Sequence, residues 1–383
     1  MNKQSPVKRV RKIPDLTRLI LFVRAGGRCE FDGHNKYMLE HPLTLTEINI
    51  AEGAHIVAFS ENGPRGDTDP RPVDIHDIEN LMLLCHDCHK LIDDHPEQYT
   101  VATLKAYKKK HEERIYHVTS LGPDLKTTIV QLKSKIRDQT VDIPVAQVTE
   151  AVAPRYPSDA RGFVIDLTGI QGSDDSYYKT ATQTIKSQLE LLYSPGMDVG
   201  RTRHISLFAL ASIPILAYLG TRLSNKIPVD FYQRHRDTKN WVWKNEGDPV
   251  EYQFQLIKKG TDLKSVALLL SLSGKVHIEH LPDVIDDRFY LYEITLKGQP
   301  PNTDFLKQRQ DLQNFESRYR ASLAQIMADH GKLESLHLFP AIPAPVAVLC
   351  GYELLPKVYP TLIVHDYDKS EGGFNFSIRI NEP

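Results

Sequence analysis

The chain has 383 residues, too many for one ordinary domain at roughly 150 residues each, so two or three cores are expected, each large enough to fold without disulfides. With 47 Lys and Arg against 49 Asp and Glu, the formal net charge is −2, and overall charge does not announce a nucleic-acid partner; any polyanion must be met by local clusters. Four cysteines, no N-terminal apolar segment of the secretory kind and no long apolar run argue against export and membrane insertion and predict a soluble, cytoplasmic protein.

The chain opens on a basic arm, Lys3, Lys8, Arg9, Arg11, Lys12 and Arg18, and residues 13–25 read as a helix. Cys29 and His34 follow with C-x4-H spacing and are answered by Cys85 and Cys88 with C-x2-C spacing. Two short-spaced pairs of thiolate and imidazole donors separated by a hairpin are what a tetrahedral structural Zn2+ requires. The alternative, cysteines buried as ordinary small hydrophobes, fits poorly with three of the four falling in one stretch. A C-x2-C first pair would place the second ligand on Asp32; His34 is the better donor, with Asp32 and Gly33 supplying the turn.

Interleaved with these ligands are Gly53-Ala54-His55-Ile56-Val57, Asn80 at the head of Asn80-Leu81-Met82-Leu83-Leu84-Cys85, and His89 directly after Cys88. In this order and spacing, residues 23–95 resemble the HNH endonuclease family, with its strand, loop, strand, helix ββα-metal motif. The resemblance implies His55 as the general base that takes a proton from the attacking water. It implies His89 as a ligand of a catalytic divalent ion, Mg2+ or another, with Asp93 one helical turn on sharing that face, and Asn80 holding the loop that carries His55. An imidazole titrates near neutrality and suits the base role, while a cation is needed at the scissile phosphate. One position departs from the pattern: the residue before the base is often Asp or His in the family, where it binds the metal, and here it is Ala54.

The long loop beginning Glu61-Asn62-Gly63-Pro64-Arg65-Gly66 offers Arg65 as a DNA contact, and Lys105, Lys108, Lys109 and Lys110 crowd the following helix, with Lys108 and Lys109 as further phosphate contacts. The bland reading of such runs is a solvated loop and helix face. This nuclease domain with its basic arm is expected to span residues 1–117.

From Pro123 to Gln139, Leu125, Ile129, Leu132 and Ile136 are spaced four, three, four, which predicts a connecting helix with a narrow apolar seam, packed on its own chain or on another subunit. Pro144, Pro154 and Pro157 mark an extended linker, so residues 118–160 are assigned as connecting helix and linker. Beyond it, 161–383 reads as α/β: a short apolar strand ending in a glycine turn over 162–169 and another at 266–272 alternate with helices over 176–193 and 304–328, implying a parallel sheet buried on both faces. An internal echo supports duplication. His204, Phe208 through Pro214, Gly220 and Pro228 are matched by His337, Phe339 through Pro345, Gly351 and Pro360, and the proline-to-glycine spacing is the same in both copies.

Through this proline-helix-glycine segment and the run Arg234-His235-Arg236 to Trp241-Val242-Trp243, residues 155–383 resemble the SAVED domain, two tandem CARF-like Rossmann units that bind cyclic oligonucleotides. The whole chain then resembles the HNH/SAVED effector nucleases of bacterial CBASS anti-phage systems. That resemblance implies a double-stranded DNA endonuclease activated by a cyclic dinucleotide or related cyclic oligonucleotide, assembling as a homo-oligomer, with a tetramer as the active form. Because α/β sheets bind ligands outside the carboxyl ends of their strands, Thr168 borders the expected crevice; Arg201, Arg203 and Lys239 are candidates for the phosphates, and Tyr156, Trp241 or Trp243 for stacking on a base.

Overall fold

The computed structural model describes residues 12–68, 70–136, 139–140, 142–172, 174–194, 203–223, 227–368 and 372–382. Two compact units divide at residue 121: Met1–Leu121 and Gly122–Pro383. Among the described residues no helix is long and apolar enough to cross a membrane.

In the first unit, helix α1 (Asp15–Arg24) precedes strands β1 (Ala51–His55) and β2 (Leu81–Cys85), which pair antiparallel with Ala51 opposite Cys85 and His55 opposite Leu81. A short 3-10 turn, Ile78–Asn80, feeds β2, which runs into α2 (His86–Asp94); α3 (Val101–Thr119), capped by the Thr100 side chain on Thr103 N, closes the unit. Every residue of β2 is buried, because α1 and α2 both pack on it. The core gathers Leu21, Met38, Ala54, Ile56, Leu81 through Leu84, Ile92 and Leu104 around Cys29, Cys85 and Cys88.

The second unit holds two sheets. Strand β3 (Lys126–Lys133) is central in the first; after a small hairpin, β4 (Lys135–Ile136) with β5 (Gln139–Thr140), come α4 (Val145–Ala151), β6 (Tyr156–Pro157), β7 (Phe163–Asp166), α5 (Asp175–Leu192), β8 (Ile205–Leu210), α6 (Ile213–Arg222) and β9 (Val229–Phe231). Strands β6, β7 and β8 all pair with β3, and β9 with β8, every pairing parallel. The second sheet takes β10 (Tyr252–Lys258), β11 (Val266–Ser271), β12 (Tyr290–Leu296), β13 (Ser335–Ala341), β14 (Thr361–Asp368) and β15 (Gly373–Ile380) in the order β10-β12-β11-β13-β14-β15, parallel in its middle and antiparallel at both edges. Helices α7 (Arg309–His330) and α8 (Ala344–Tyr352) complete it.

The helix expected over 123–139 is a correction. Residues Lys126–Lys133 form β3, buried from Thr127 through Leu132. Thr127, Thr128, Ile129 and Val130 are four β-branched residues in a row, stiff at χ1 and suited to a pleated surface. With both faces covered, the four, three, four spacing does not define one helical face. The second unit therefore begins at Gly122, and the expected linker contributes α4 and β6 to it.

The internal echo has a physical counterpart. The units β8-α6-β9 and β13-α8-β14 repeat the same parallel strand, helix, strand order, and α6 and α8 pack directly on each other. A Cβ on Gly220 would lie 2.0 Å from the Val348 carbonyl oxygen, and one on Gly351 would lie 1.8 Å from that of Ala217. Each glycine thus meets the backbone three residues before the other, a reciprocal contact that only hydrogen side chains permit at this separation.

Candidate metal centre and nuclease cleft

The thiol and imidazole donors expected to hold zinc come together. The Sγ atoms of Cys29, Cys85 and Cys88 and a ring nitrogen of His34 all lie within 4.8 Å of one another, and among the described residues this is the one group of three or more such donors. His34 Nδ1 is 3.2 Å from Cys88 Sγ and 3.6 Å from Cys85 Sγ. Local backbone makes this possible: Cys29 N donates to Lys36 O at 2.9 Å, His34 N donates to Phe31 O at 3.0 Å, and Gly33 turns the chain at φ 80°. Burial first, then neighbouring sulfur charge, pushes the Cys29 and Cys88 thiols upward. A divalent cation relieves that cost by converting crowded thiols into ligands, and three sulfurs with one imidazole are the soft, tetrahedral donor set that suits Zn2+.

Next to this centre lies a cleft of ≈ 680 Å³, whose lining includes His55, Phe59, His89 and Asp93 together with Lys12 and Arg18 from the arm and α1. His55 ends β1, and its Nε2 is 3.2 Å from His76 Nδ1. Asn80 is buried and fully used: Oδ1 accepts from Val57 N at 2.9 Å, while Nδ2 donates to Val57 O at 3.1 Å and to Ile75 O at 2.9 Å. It therefore clamps the backbone immediately after His55. From α2, His89 Nε2 faces Asp93 Oδ2 at 3.5 Å, and His89 Nδ1 lies 2.6 Å from Glu52 Oε2. Glu52 also meets His86 Nδ1 at 3.0 Å; the hydrogen bond from His89 leads the interactions that hold its carboxyl below the usual range.

Ala54 is 1% exposed and belongs to the apolar core. The position before His55 therefore points inward on this strand, and Ala54 offers no donor to the cleft.

In the second unit the carboxyl ends of the parallel strands carry an unusual polar set. Gln233, Arg234 and His235 follow β9 after Tyr232, and buried Gln233 Oε1, Arg234 Nε and His235 Nε2 have no hydrogen-bond partner among the described residues, nor do the buried Trp241 and Trp243 indole nitrogens. Buried polar atoms without partners are costly and infrequent, and an orphaned cluster at a strand carboxyl end is where an α/β sheet receives a polar ligand. Thr168 stands at the same end, after β7, its amide and hydroxyl both donating to Asp166 Oδ1 at 2.8 and 2.6 Å. Lys239 is exposed in the loop after β9, in the left-handed region at φ 54°.

Several expected ligand contacts fall elsewhere. Tyr156 pairs with Lys126 at the amino end of β3, and exposed Arg203 lies just before β8, also at an amino end. Arg201 is outside the described residues. Trp241 and Trp243 are 0% and 8% exposed and pack into the core, Trp241 edge-on to Phe208 with ring centroids 5.2 Å apart. Large apolar rings gain more from that burial than from solvent.

Comparison with known families decides the assignment. The HNH endonuclease family matches residues 29–96, and the SMODS-associated and fused to various effectors sensor domain, SAVED, matches residues 190–380. The chain is an HNH nuclease domain joined to a SAVED sensor domain. No curated protein matches it. Among solved structures, it is similar to the Acinetobacter baumannii Cap4 SAVED/CARF-domain containing receptor with the cyclic trinucleotide 2'3'3'-cAAA, at 12% identity and a TM-score of 0.43, covering 80% of this chain and 63% of that one. A Moraxella osloensis Cap4 SAVED/CARF-domain containing receptor is similar at 11% identity and a TM-score of 0.38, covering 76% of this chain and 59% of the other. The chain thus spans less than two thirds of the length of these relatives.

Within the HNH domain, two of the expected DNA contacts are corrected. Arg65 is 8% exposed and donates from Nε to Ile56 O at 2.7 Å, from Nη1 to Ile92 O at 2.6 Å and from Nη2 to Asp93 Oδ1 at 2.8 Å. It is a strut between the backbone after His55 and the end of α2. Lys108 is 2% exposed and paired with Glu112. Lys109 remains exposed, near Glu113 at 3.8 Å. Sequence reasoning missed Glu52 and His76, whose distance in the chain from His89 and His55 hides their contacts. The alternation of β1, which puts Glu52 and Ala54 on one face, was the signal available for Glu52.

Proposed function

We propose that this chain is a cyclic-oligonucleotide-activated, metal-dependent endonuclease of double-stranded DNA, an effector of CBASS anti-phage defence. The observation that carries the proposal is the cleft that brings His55, His89 and Asp93 together beneath Lys12 and Arg18. His55 takes the proton from the attacking water, and the Asn80 clamp on Val57 holds the backbone that aims it. His89 and Asp93 hold the catalytic cation, which supplies charge stabilisation at the scissile phosphate and the leaving oxygen. Lys12 and Arg18 meet the DNA backbone, a role that Arg65 and Lys108 cannot take while buried. The cysteine and histidine cluster holds a structural zinc ion and takes no part in the chemistry.

The SAVED match and the orphaned polar atoms of Gln233, Arg234 and His235 support a cyclic oligonucleotide as the signal. One ββα module has one hydrolytic centre, so a double-strand cut is easiest when two modules address opposite strands. Ligand-driven assembly, with a tetramer as the active form, is therefore the switch. Moving such an equilibrium from 1:99 to 99:1 requires about 10⁴-fold preference of the ligand for the assembled state.

The test is plasmid digestion in Mg2+ with a panel of cyclic di- and trinucleotides, with light scattering on the same samples. Cleavage that appears only with one cyclic nucleotide, together with a rise in mass, is expected, and His55→Ala should lower it by roughly 10²- to 10⁴-fold. Full activity without ligand would remove the gating. A burial-locked Ala54 favours one rival, a zinc-stabilised DNA-binding regulator with no catalysis, and wild-type protein that shifts DNA but never cuts it under any ligand would establish that rival instead.

A further inference from the structure

The two ring nitrogens of His89 are engaged differently. Nδ1 lies 2.6 Å from Glu52 Oε2, a hydrogen bond, whereas Nε2 stands 3.5 Å from Asp93 Oδ2. A carboxylate only accepts, so the proton of a neutral imidazole must sit on Nδ1, and Nε2 is left with a lone pair. That lone pair then confronts a second acceptor, Asp93 Oδ2, across a gap longer than a hydrogen bond. Asp93 cannot easily turn away, because its other oxygen accepts from the buried Arg65 at 2.8 Å. Two acceptors held face to face by anchors behind each of them are a site for a cation.

Strand β1 explains where the anchor comes from. Glu52 and Ala54 share a face of the strand; Ala54 is sealed into the core, while Glu52, opposite Leu84, emerges beside the first turns of α2 with its side chain 40% exposed. The strand therefore offers a carboxylate two residues earlier than the position that binds metal in relatives of this motif, and it reaches His89 rather than the cleft.

We propose that Glu52 is a positioning residue: it fixes His89 in the Nδ1–H tautomer, so that Nε2 and Asp93 Oδ2 together receive a divalent cation. This rests on the reading of His89 and Asp93 as cation ligands. Carboxylate partners of this kind orient a ligating imidazole and raise its basicity, and losing them typically weakens metal binding by about 10- to 100-fold. The interaction of Glu52 with His86, whose side chain is 75% exposed, is a second tie on the carboxylate and not part of the cation site.

The experiment uses full-length, zinc-loaded protein and Mn2+ as the probe, with affinity read by calorimetry and His89 protonation read by 15N NMR in the absence of Mn2+. Glu52→Ala should weaken Mn2+ binding about 10- to 100-fold with unchanged zinc content and melting temperature, and should redistribute His89 toward the Nε2–H tautomer. Glu52→Gln, whose amide oxygen still accepts from Nδ1, should keep the tautomer and lose less affinity; His86→Ala should change neither. Wild-type affinity in Glu52→Ala, or His89 found as Nε2–H in the wild type, would overturn the proposal while leaving the ligand assignment intact. Equal losses in Glu52→Ala and Glu52→Gln with the tautomer unmoved would make Glu52 a direct ligand and overturn it too. If His89→Ala binds Mn2+ like the wild type, the underlying assignment of His89 fails, which is a separate result.

Discussion

Asn80→Ala isolates the clamp behind His55, the proposed base. The wild-type side chain makes three hydrogen bonds, to Val57 N, Val57 O and Ile75 O, at 2.9, 3.1 and 2.9 Å, and is 2% exposed. Truncation leaves one amide and two carbonyls without partners. A buried polar group left unsatisfied costs roughly 1–3 kcal/mol; since the loop can open and hydrate part of the loss, about 3 kcal/mol in all is expected. The loss should be local. Ile56 N still donates to the Asn80 backbone carbonyl at 2.8 Å, so β1 stays in register and the segment after it loosens. Hydrogen exchange should therefore show the Val57 amide exposed at unchanged protection of β2, with plasmid cleavage reduced. Asn80→Asp should be worse, because its second oxygen faces two carbonyls where an N–H stood, and a charge is buried without a partner. A fully protected Val57 amide in Asn80→Ala, at wild-type cleavage, would refute the clamp.

Cys88→Ser should release zinc and unfold the nuclease unit, since structural zinc sites contribute an apparent ~10–16 kcal/mol in zinc-finger peptides; metal analysis showing no zinc in well-folded wild-type protein would contradict this. Gly351→Ala should lower the melting temperature of the SAVED domain, because the new Cβ falls 1.8 Å from the Ala217 carbonyl oxygen and overpacking typically costs about 1–3 kcal/mol; an unchanged transition would mean the helices separate freely. Burial pushes the His337 imidazole down to about 4 and that of its neighbour His365, 2.9 Å away, down to about 3. Both folded values lie below the unfolded ~6.5, so the folded state binds fewer protons; the stabilisation is complete above pH ~6.5 and is lost as pH falls toward the folded values, by up to about 1.4 kcal/mol per pH unit for each group. Melting of wild type and His337→Phe between pH 7 and 5 should show the steeper fall in the wild type, and equal slopes would dispose of the idea.

What could be read from the sequence divides along a physical line. Juxtapositions that depend on covalent spacing were legible: the C-x4-H and C-x2-C pairs close on one point because each spans a single turn, and His89 and Asp93 share a helix face because they are four apart. The proline-to-glycine echo was legible for the same reason, though nothing in it said that the glycines would meet each other's helix. Roles that depend on burial were not legible. Arg65 and Lys108 look alike to a solvent-exposed arginine and lysine until the fold surrounds them, and Trp241 and Trp243 read equally as a stacking face or a core. The stretch at 123–139 failed differently: its apolar spacing matched a helix, and only its β-branched run, which that expectation left out of account, spoke for β3.

Every group proposed to do or support the chemistry belongs to the first unit: the base, its Asn80 clamp, the Arg65 strut, the Glu52 anchor, the cation ligands and the zinc cluster. The unit's core is modest, and the cysteine and histidine cluster and the Arg65 strut tie its loops and helices together. If the site is built in this way before a signal binds, activation does not consist of folding it. A ligand in the SAVED domain can change the rate only by altering what the cleft meets, which means a second module brought to the same duplex or DNA admitted to a cleft otherwise blocked. These alternatives separate in two measurements. If assembly is the switch, cleavage at fixed saturating ligand should rise more steeply than linearly with protein concentration below the assembly threshold, and a catalytically dead His55→Ala subunit mixed with wild type should depress double-strand cutting more than nicking. If access is the switch, the rate should scale linearly with protein, and mixing should reduce both products in proportion.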